Sequence, residues 1–187
     1  MNNSHFIHLS AWYNTTIGQS EIYNAESKAG NYLPVSVVAS YRTPFNNFIK
    51  NSEFSIEGRL VDGLLLTNTR FEIKSRNKKN IVGLSFKTML RNNIADADYL
   101  LYKDEWKTGF RNNTARLSLE HNYNYIRGTG KINLMLMSTS LGSDYDFASI
   151  TGQVLNNNNI GKLTINTRMY AAYGWGNRFA SESMVYL

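Results

Sequence analysis

Between Lys162 and Tyr173 the side chains alternate for twelve residues. Leu163, Ile165, Thr167, Met169, Ala171 and Tyr173 fall on one side, and Lys162, Thr164, Asn166 and Arg168 on the other. A two-residue period belongs to a strand, whose successive side chains point to opposite faces. Globular strands run to about five or six residues, whereas a tilted strand crossing a bilayer needs about nine to eleven. So long a ribbon needs apolar surroundings along one side and water along the other, which lipid and a wet lumen supply.

The same alternation recurs along the chain. It predicts strands over 6–13, 33–41, 54–60, 65–74, 82–90, 115–125, 132–137, 145–155 and 162–173. Turn chemistry falls between them: Thr43-Pro44-Phe45-Asn46-Asn47, Asp62-Gly63, residues 76–80, Arg127-Gly128-Thr129-Gly130, Leu141-Gly142-Ser143-Asp144 and the run Asn156 to Asn159. Pro34, which lacks a backbone donor, belongs at the start or edge of its strand. Two stretches break the rhythm: 14–31, polar and loop-like, and 91–114, part of which suits a short helix. Short connections mean antiparallel neighbours, since parallel strands need long crossovers. The expected fold is therefore all-β: one antiparallel up-and-down meander over residues 1–187, forming part of an outer-membrane β-barrel. A soluble β-sandwich or a lipocalin-like barrel is the alternative.

The turns sort by side. Those at 76–80, 127–130 and 156–161 share one end and are short, while the insertion 91–114 lies at the other. Outer-membrane barrels have this asymmetry, with short periplasmic turns and long external loops. The short Asp62-Gly63 turn on the long-loop side departs from it. Aromatics cluster near predicted strand ends (Tyr13, Tyr32, Tyr41, Tyr123, Tyr125, Tyr145, Tyr173 and Trp175), where a membrane barrel carries its girdles.

Composition changes this picture little. A mean hydropathy of −0.38 excludes a uniformly apolar helix without excluding alternating strands. Cysteine is absent, which removes disulfides and thiolate metal sites. The net charge of +6 suits a wet lumen or solvated turns better than nucleic acid, because the cations are spread over nearly every segment. Met1-Asn2-Asn3-Ser4-His5 is no secretion signal, and Phe179 to Leu187 looks like the start of another element. Both features lead us to expect a fragment of a longer chain.

The run from Asn166 to Asn177, followed by Ser181-Glu182-Ser183 and Tyr186-Leu187, resembles carboxyl-terminal barrel-like regions of large Bacteroidota cell-envelope proteins. Some of those chains carry a gluzincin-type metallopeptidase domain ahead of that region. The resemblance covers the last quarter of the chain and implies an envelope location. Any peptidase activity it implies belongs elsewhere in a parent chain, because the zinc signature His-Glu-x-x-His does not occur in these residues.

Candidate chemistry is sparse. His5, His8 and His121 have the right side chains for zinc, but positions 5 and 8 of a strand face opposite ways. Asp96, Asp98, Asp104 and Glu105 offer hard oxygens for calcium without the loop glycine of an EF-hand. Glu57, Glu72 and Glu120, beside Arg59, Arg70 and Arg116, suit cross-strand charge pairs on a wet face better than a glycosidase pair. Arg127-Gly128-Thr129-Gly130-Lys131 lacks the full phosphate-loop spacing. We expect no catalytic, cofactor or metal site and no enzyme activity in these residues. The expected partners are outer-membrane lipid and other domains of a parent chain, with no nucleic acid. The lumen face would carry Arg59, Arg70, Glu72, Lys74, Lys87, Arg116, Glu120, Asn166 and Arg168. The lipid face would carry Leu65, Phe71, Leu84, Phe86, Leu117, Leu119, Leu163, Ile165 and Met169.

Overall fold

A computed structural model describes residues 5–13, 35–46, 48–61, 64–91 and 109–180. Nine strands follow one another: β1 (Phe6–Tyr13), β2 (Val35–Pro44), β3 (Ser52–Val61), β4 (Leu64–Lys74), β5 (Asn80–Arg91), β6 (Arg111–Tyr125), β7 (Gly128–Thr139), β8 (Asp146–Ile160) and β9 (Leu163–Arg178). They form one sheet in sequence order, each antiparallel to its neighbour. No helix occurs among the described residues. β1 and β9 each pair on one side only, leaving two edges open among the described residues.

The strands are longer than the alternation alone marks. β8 runs through the asparagine run to Ile160, and the turn falls at Gly161-Lys162 instead of 156–159. β7 begins at Gly128, so the turn expected over 127–130 is shorter and lies at Ile126-Arg127. Cross-strand partners explain both differences. Tyr123 pairs with Gly130, and its ring lies where a Cβ of Gly130 would stand. The Tyr123 hydroxyl then donates to Asn156 Oδ1 at 2.6 Å, and the Tyr125 hydroxyl donates to Asn158 Oδ1. The tyrosines thus cover the glycines and satisfy amides that read as turn residues in isolation. Pro44 closes β2 instead of sitting in a turn, β6 starts at Arg111 instead of 115, and β9 continues to Arg178. The expectations for Pro34, the Asp62-Gly63 hairpin, the loop 14–31, the helix within 91–114 and the element after Ala180 fall wholly or largely outside the described residues.

The turns at 45–51, 75–79, 126–127 and 161–162 lie at one rim, and all are short. Lys78 takes the left-handed conformation there (φ 55°), in a turn closed by Lys78 N–H donating to Ser75 O at 2.8 Å. At the opposite rim, the connection 140–145 is clamped to the start of β6. Asn113 Nδ2 donates to Leu141 O at 2.9 Å, and the Arg111 N–H donates to Asp144 Oδ2 at 2.6 Å. Asn113 is 6% exposed, so truncation removes a part-buried hydrogen bond to Leu141 O and leaves a gap beneath the connection. Asn113→Ala should cost about 1–2 kcal/mol, read as a lowered urea midpoint at unchanged slope.

Register fixes the faces. Thr43, Phe54, Phe71, Leu84, Leu117, Leu136, Ile150 and Tyr173 are successive partners in one row across β2 to β9. The row is oblique to the rims. Thr43 is one residue from the short-turn end of β2 and Tyr173 is ten residues from the short-turn end of β9, a drift of nine residues over seven strand steps. All nine residues expected on a lipid face fall on the side of this row, and all nine expected on a lumen face fall on the other.

The two sides differ in exposure, in an unusual direction. Along β5 the apolar residues Val82, Leu84 and Phe86 are exposed, Leu84 to 58%, while Gly83, Ser85 and Lys87 between them are buried or half-buried. β6 repeats this: Leu117 and Leu119 are exposed, and Arg116, Ser118 and Glu120 are shielded. A flat single layer would expose both sides alike, so this asymmetry means the sheet curls toward its polar side. No second sheet packs on the apolar side among the described residues. The small buried core lies within the curl at the long-loop rim: Met137, Tyr145, Phe147 and Ala180, flanked by Phe110 and Phe179. Tyr145 therefore belongs to this inner cluster, 8% exposed, and not to an outer aromatic girdle.

Candidate functional site

The polar, concave face is where this chain concentrates its charge. Among the described residues nine strand cations fall on it (Arg42, Arg59, Arg70, Lys74, Lys87, Arg91, Arg116, Lys131 and Arg168) against four carboxylates, Glu53, Glu57, Glu72 and Glu120. The apolar face carries no Asp, Glu, Lys or Arg between the rims among the described residues. Its charges are confined to strand ends, at Arg111 and Asp146, while Arg178, opposite Asp146 in register, turns its guanidinium over the rim onto the inner cluster.

The carboxylates are shared out among the cations. Glu53 accepts from Arg42 Nε at 3.2 Å and Lys74 Nζ at 3.4 Å, bridging β2, β3 and β4. Glu57 pairs with Arg59 and Glu72 with Arg70, each two residues along its own strand. These two pairs are therefore within strands, unlike the cross-strand pairs expected from sequence. Glu120 does pair across strands, with Lys131 at 2.7 Å and not with Arg116. With the Gln153 amide turned to present its oxygen, it accepts from Arg168 Nε at 2.6 Å and Nη2 at 3.0 Å. At the short-turn rim a hollow of about 490 Å³ opens on this face, bordered by Asn122, Asn124, Lys131, Asn157, Asn166 and Arg168.

The histidines do not converge. His5 Nδ1 lies 2.8 Å from the Tyr41 hydroxyl, His8 Nε2 2.9 Å from Ser10 Oγ, and His121 Nδ1 2.6 Å from Asn80 Oδ1. Among the described residues no three His, Asp or Glu side chains group as metal ligands do. Asp96, Asp98, Asp104 and Glu105 lie outside the described residues.

Two arrangements have no plain signal in the sequence. Arg178, at the end of β9, lies over the rings of Phe110 and Tyr145, 4.6 Å and 5.6 Å from their centroids, and so covers the inner apolar cluster with a cation. The second is the position of Arg116, whose Nε is buried without a hydrogen-bond partner. No family model, curated protein or solved structure matches this chain.

Proposed function

We propose that this chain is part of an outer-membrane β-barrel, with its apolar face against hydrocarbon and its concave face enclosing water. Its role is to anchor a larger assembly or to line a polar lumen, and the chemistry of any parent chain belongs to other residues. The observation that carries this reading is the segregation of charge. Moving a charge into hydrocarbon is expensive, and this sheet keeps every strand charge off its convex face except at the rims.

Three further features support it. Most of the strands, at 10 to 16 residues, have the length a tilted membrane strand needs. The nine-residue register drift over seven steps, at roughly 3.3 Å per residue and about 4.8 Å between strands, corresponds to a lean of about 40°, inside the 35–45° range of membrane barrels. Aromatics sit on the convex face near both rims: Tyr123 and Tyr125 at one, and the stacked Tyr173 and Trp175 toward the other, with ring centroids 5.8 Å apart. The resemblance to Bacteroidota envelope proteins agrees with that location.

The test is refolding of the full chain from urea with and without detergent micelles or lipid vesicles. We expect β-structure, with a heat-sensitive shift in gel mobility, only where micelles or vesicles are present. A folded, monodisperse monomer in plain buffer would overturn the reading.

A further inference from the structure

Arg116 differs from Arg42, Arg59, Arg70 and Arg168 on the concave face. Arg42, Arg59 and Arg70 each meet a glutamate, and Arg168 meets the Gln153 amide. Arg116 makes no ion pair among the described residues, and its Nε is packed away from solvent without an acceptor. Its four closest positions on the face are hydroxyl or thioether residues: Ser85 and Met137 as cross-strand partners, Thr114 and Ser118 two residues along β6. The Ser118 hydroxyl donates to Gly83 O at 3.2 Å and adds no negative charge. On the far side of Ser85, in the same row, lies Arg70. Two guanidinium-bearing positions therefore flank one serine at roughly 10 Å backbone separation, two strand spacings.

A guanidinium whose Nε is buried without an acceptor and whose charge meets no carboxylate is a costly arrangement, and an anion that accepts from it relieves the cost. The arginine fork matches the oxygens of a phosphate or carboxylate, and a serine hydroxyl between two arginines supplies a further donor. We infer that Arg116, with Ser85 and Arg70, forms a binding site for a small oxyanion on the concave face. The site makes the solute path along this face selective for anions, in keeping with nine cations against four carboxylates. The inference rests on the reading of that face as a water-filled lumen.

Inorganic phosphate is the probe, titrated calorimetrically into the refolded full chain, with folding of each variant checked by far-ultraviolet circular dichroism. Wild type should bind phosphate saturably. Arg116→Gln should weaken binding by at least roughly tenfold, and Arg116→Lys should restore part of the loss, because a charge-assisted hydrogen bond is worth about that factor or more. Arg59→Gln removes the same charge from a residue already paired with Glu57, and should leave phosphate affinity unchanged. Equal affinities for wild type and Arg116→Gln, equal losses in Arg59→Gln and Arg116→Gln, or no binding by folded wild type would each overturn the site. A chain that needs detergent to fold but ignores phosphate loses the anion site and keeps the membrane reading. A chain that folds in plain buffer and binds phosphate through Arg116 keeps the site and loses the membrane reading.

Discussion

Leu117→Lys should destabilise the lipid-refolded protein by about 2–4 kcal/mol, the cost of a cation on the outer face of a membrane barrel near the bilayer midplane. Leu117 is placed for this test. It lies near the middle of the fifteen-residue strand β6, and its row partners are Leu84 and Leu136. It is 37% exposed, with no second sheet over it among the described residues. In water, where the lysine stem can lie along the row and its ammonium reach solvent, the same change would cost about 1 kcal/mol or less. The size of the effect therefore reports the solvent that meets the convex face. The control is Asn133→Lys on the concave face, where Glu120 and Gln153 are its strand partners. That change should stay within about 1 kcal/mol, since a lysine beside a glutamate in water gains or loses little. Urea titrations of both variants in lipid vesicles give the comparison. Equal, small effects at the two positions would sink the membrane reading.

Gly176→Ala should cost about 3 kcal/mol, for two reasons that act together. Gly176 has φ of 139°, a conformation L-residues rarely adopt. A Cβ there would stand 2.4 Å from Asp146 O and 2.5 Å from Phe147 Cα, both on the neighbouring strand, where no side-chain rotation relieves the clash. The position is a bulge: Asp146 pairs with Arg178 and Phe147 with Gly176, so Asn177 is left over. The bulge lies where Phe147 turns into the inner cluster and the chain passes to Phe179 and Ala180. Losing it should loosen that cluster as well as the edge strand. A large drop in urea midpoint, with residue-resolved NMR signals unchanged at Tyr123 and Tyr125 but altered at Tyr145, would locate the damage. A stability change under about 0.5 kcal/mol would show that the bulge relaxes freely.

Much of the fold was legible because the two-residue period is a direct consequence of strand geometry. The number of strands among the described residues, and the division of the eighteen named residues from Arg59 to Met169 between two faces, came from that period, and register bears both out. The strand ends were less legible. Asn156 to Asn159 and Gly128 to Gly130 carry turn residues, and what keeps them extended is a pair of tyrosines on β6, which local sequence does not reveal. Gly174 to Arg178 misled for the same reason, since a bulge admits glycines inside an edge strand. Tyr145 looked like a girdle aromatic because it flanks a strand, but the 140–145 connection, tied to Arg111 and Asn113, turns it inward. At the concave face the cations were visible as a class. Their partners were not, because whether a glutamate reaches along its strand or across to the next depends on side-chain reach. Arg116 was expected beside Glu120, and the Lys131 ammonium occupies that carboxylate instead.

The nine strands have a consequence for how the two bare margins can be joined. With nine alternating strands among the described residues, the first and last run in the same direction, both from the short-turn rim to the long-loop rim. A cylinder stitched directly along that seam would hold eight antiparallel joints and one parallel joint, with slanted hydrogen bonds there alone. A cylinder of uniform weave needs one intervening ribbon, or three, descending from the long-loop rim. Its outward side chains would stand level with Met169 on one flank and Leu9 on the other, so that ribbon too would be greasy at every second residue.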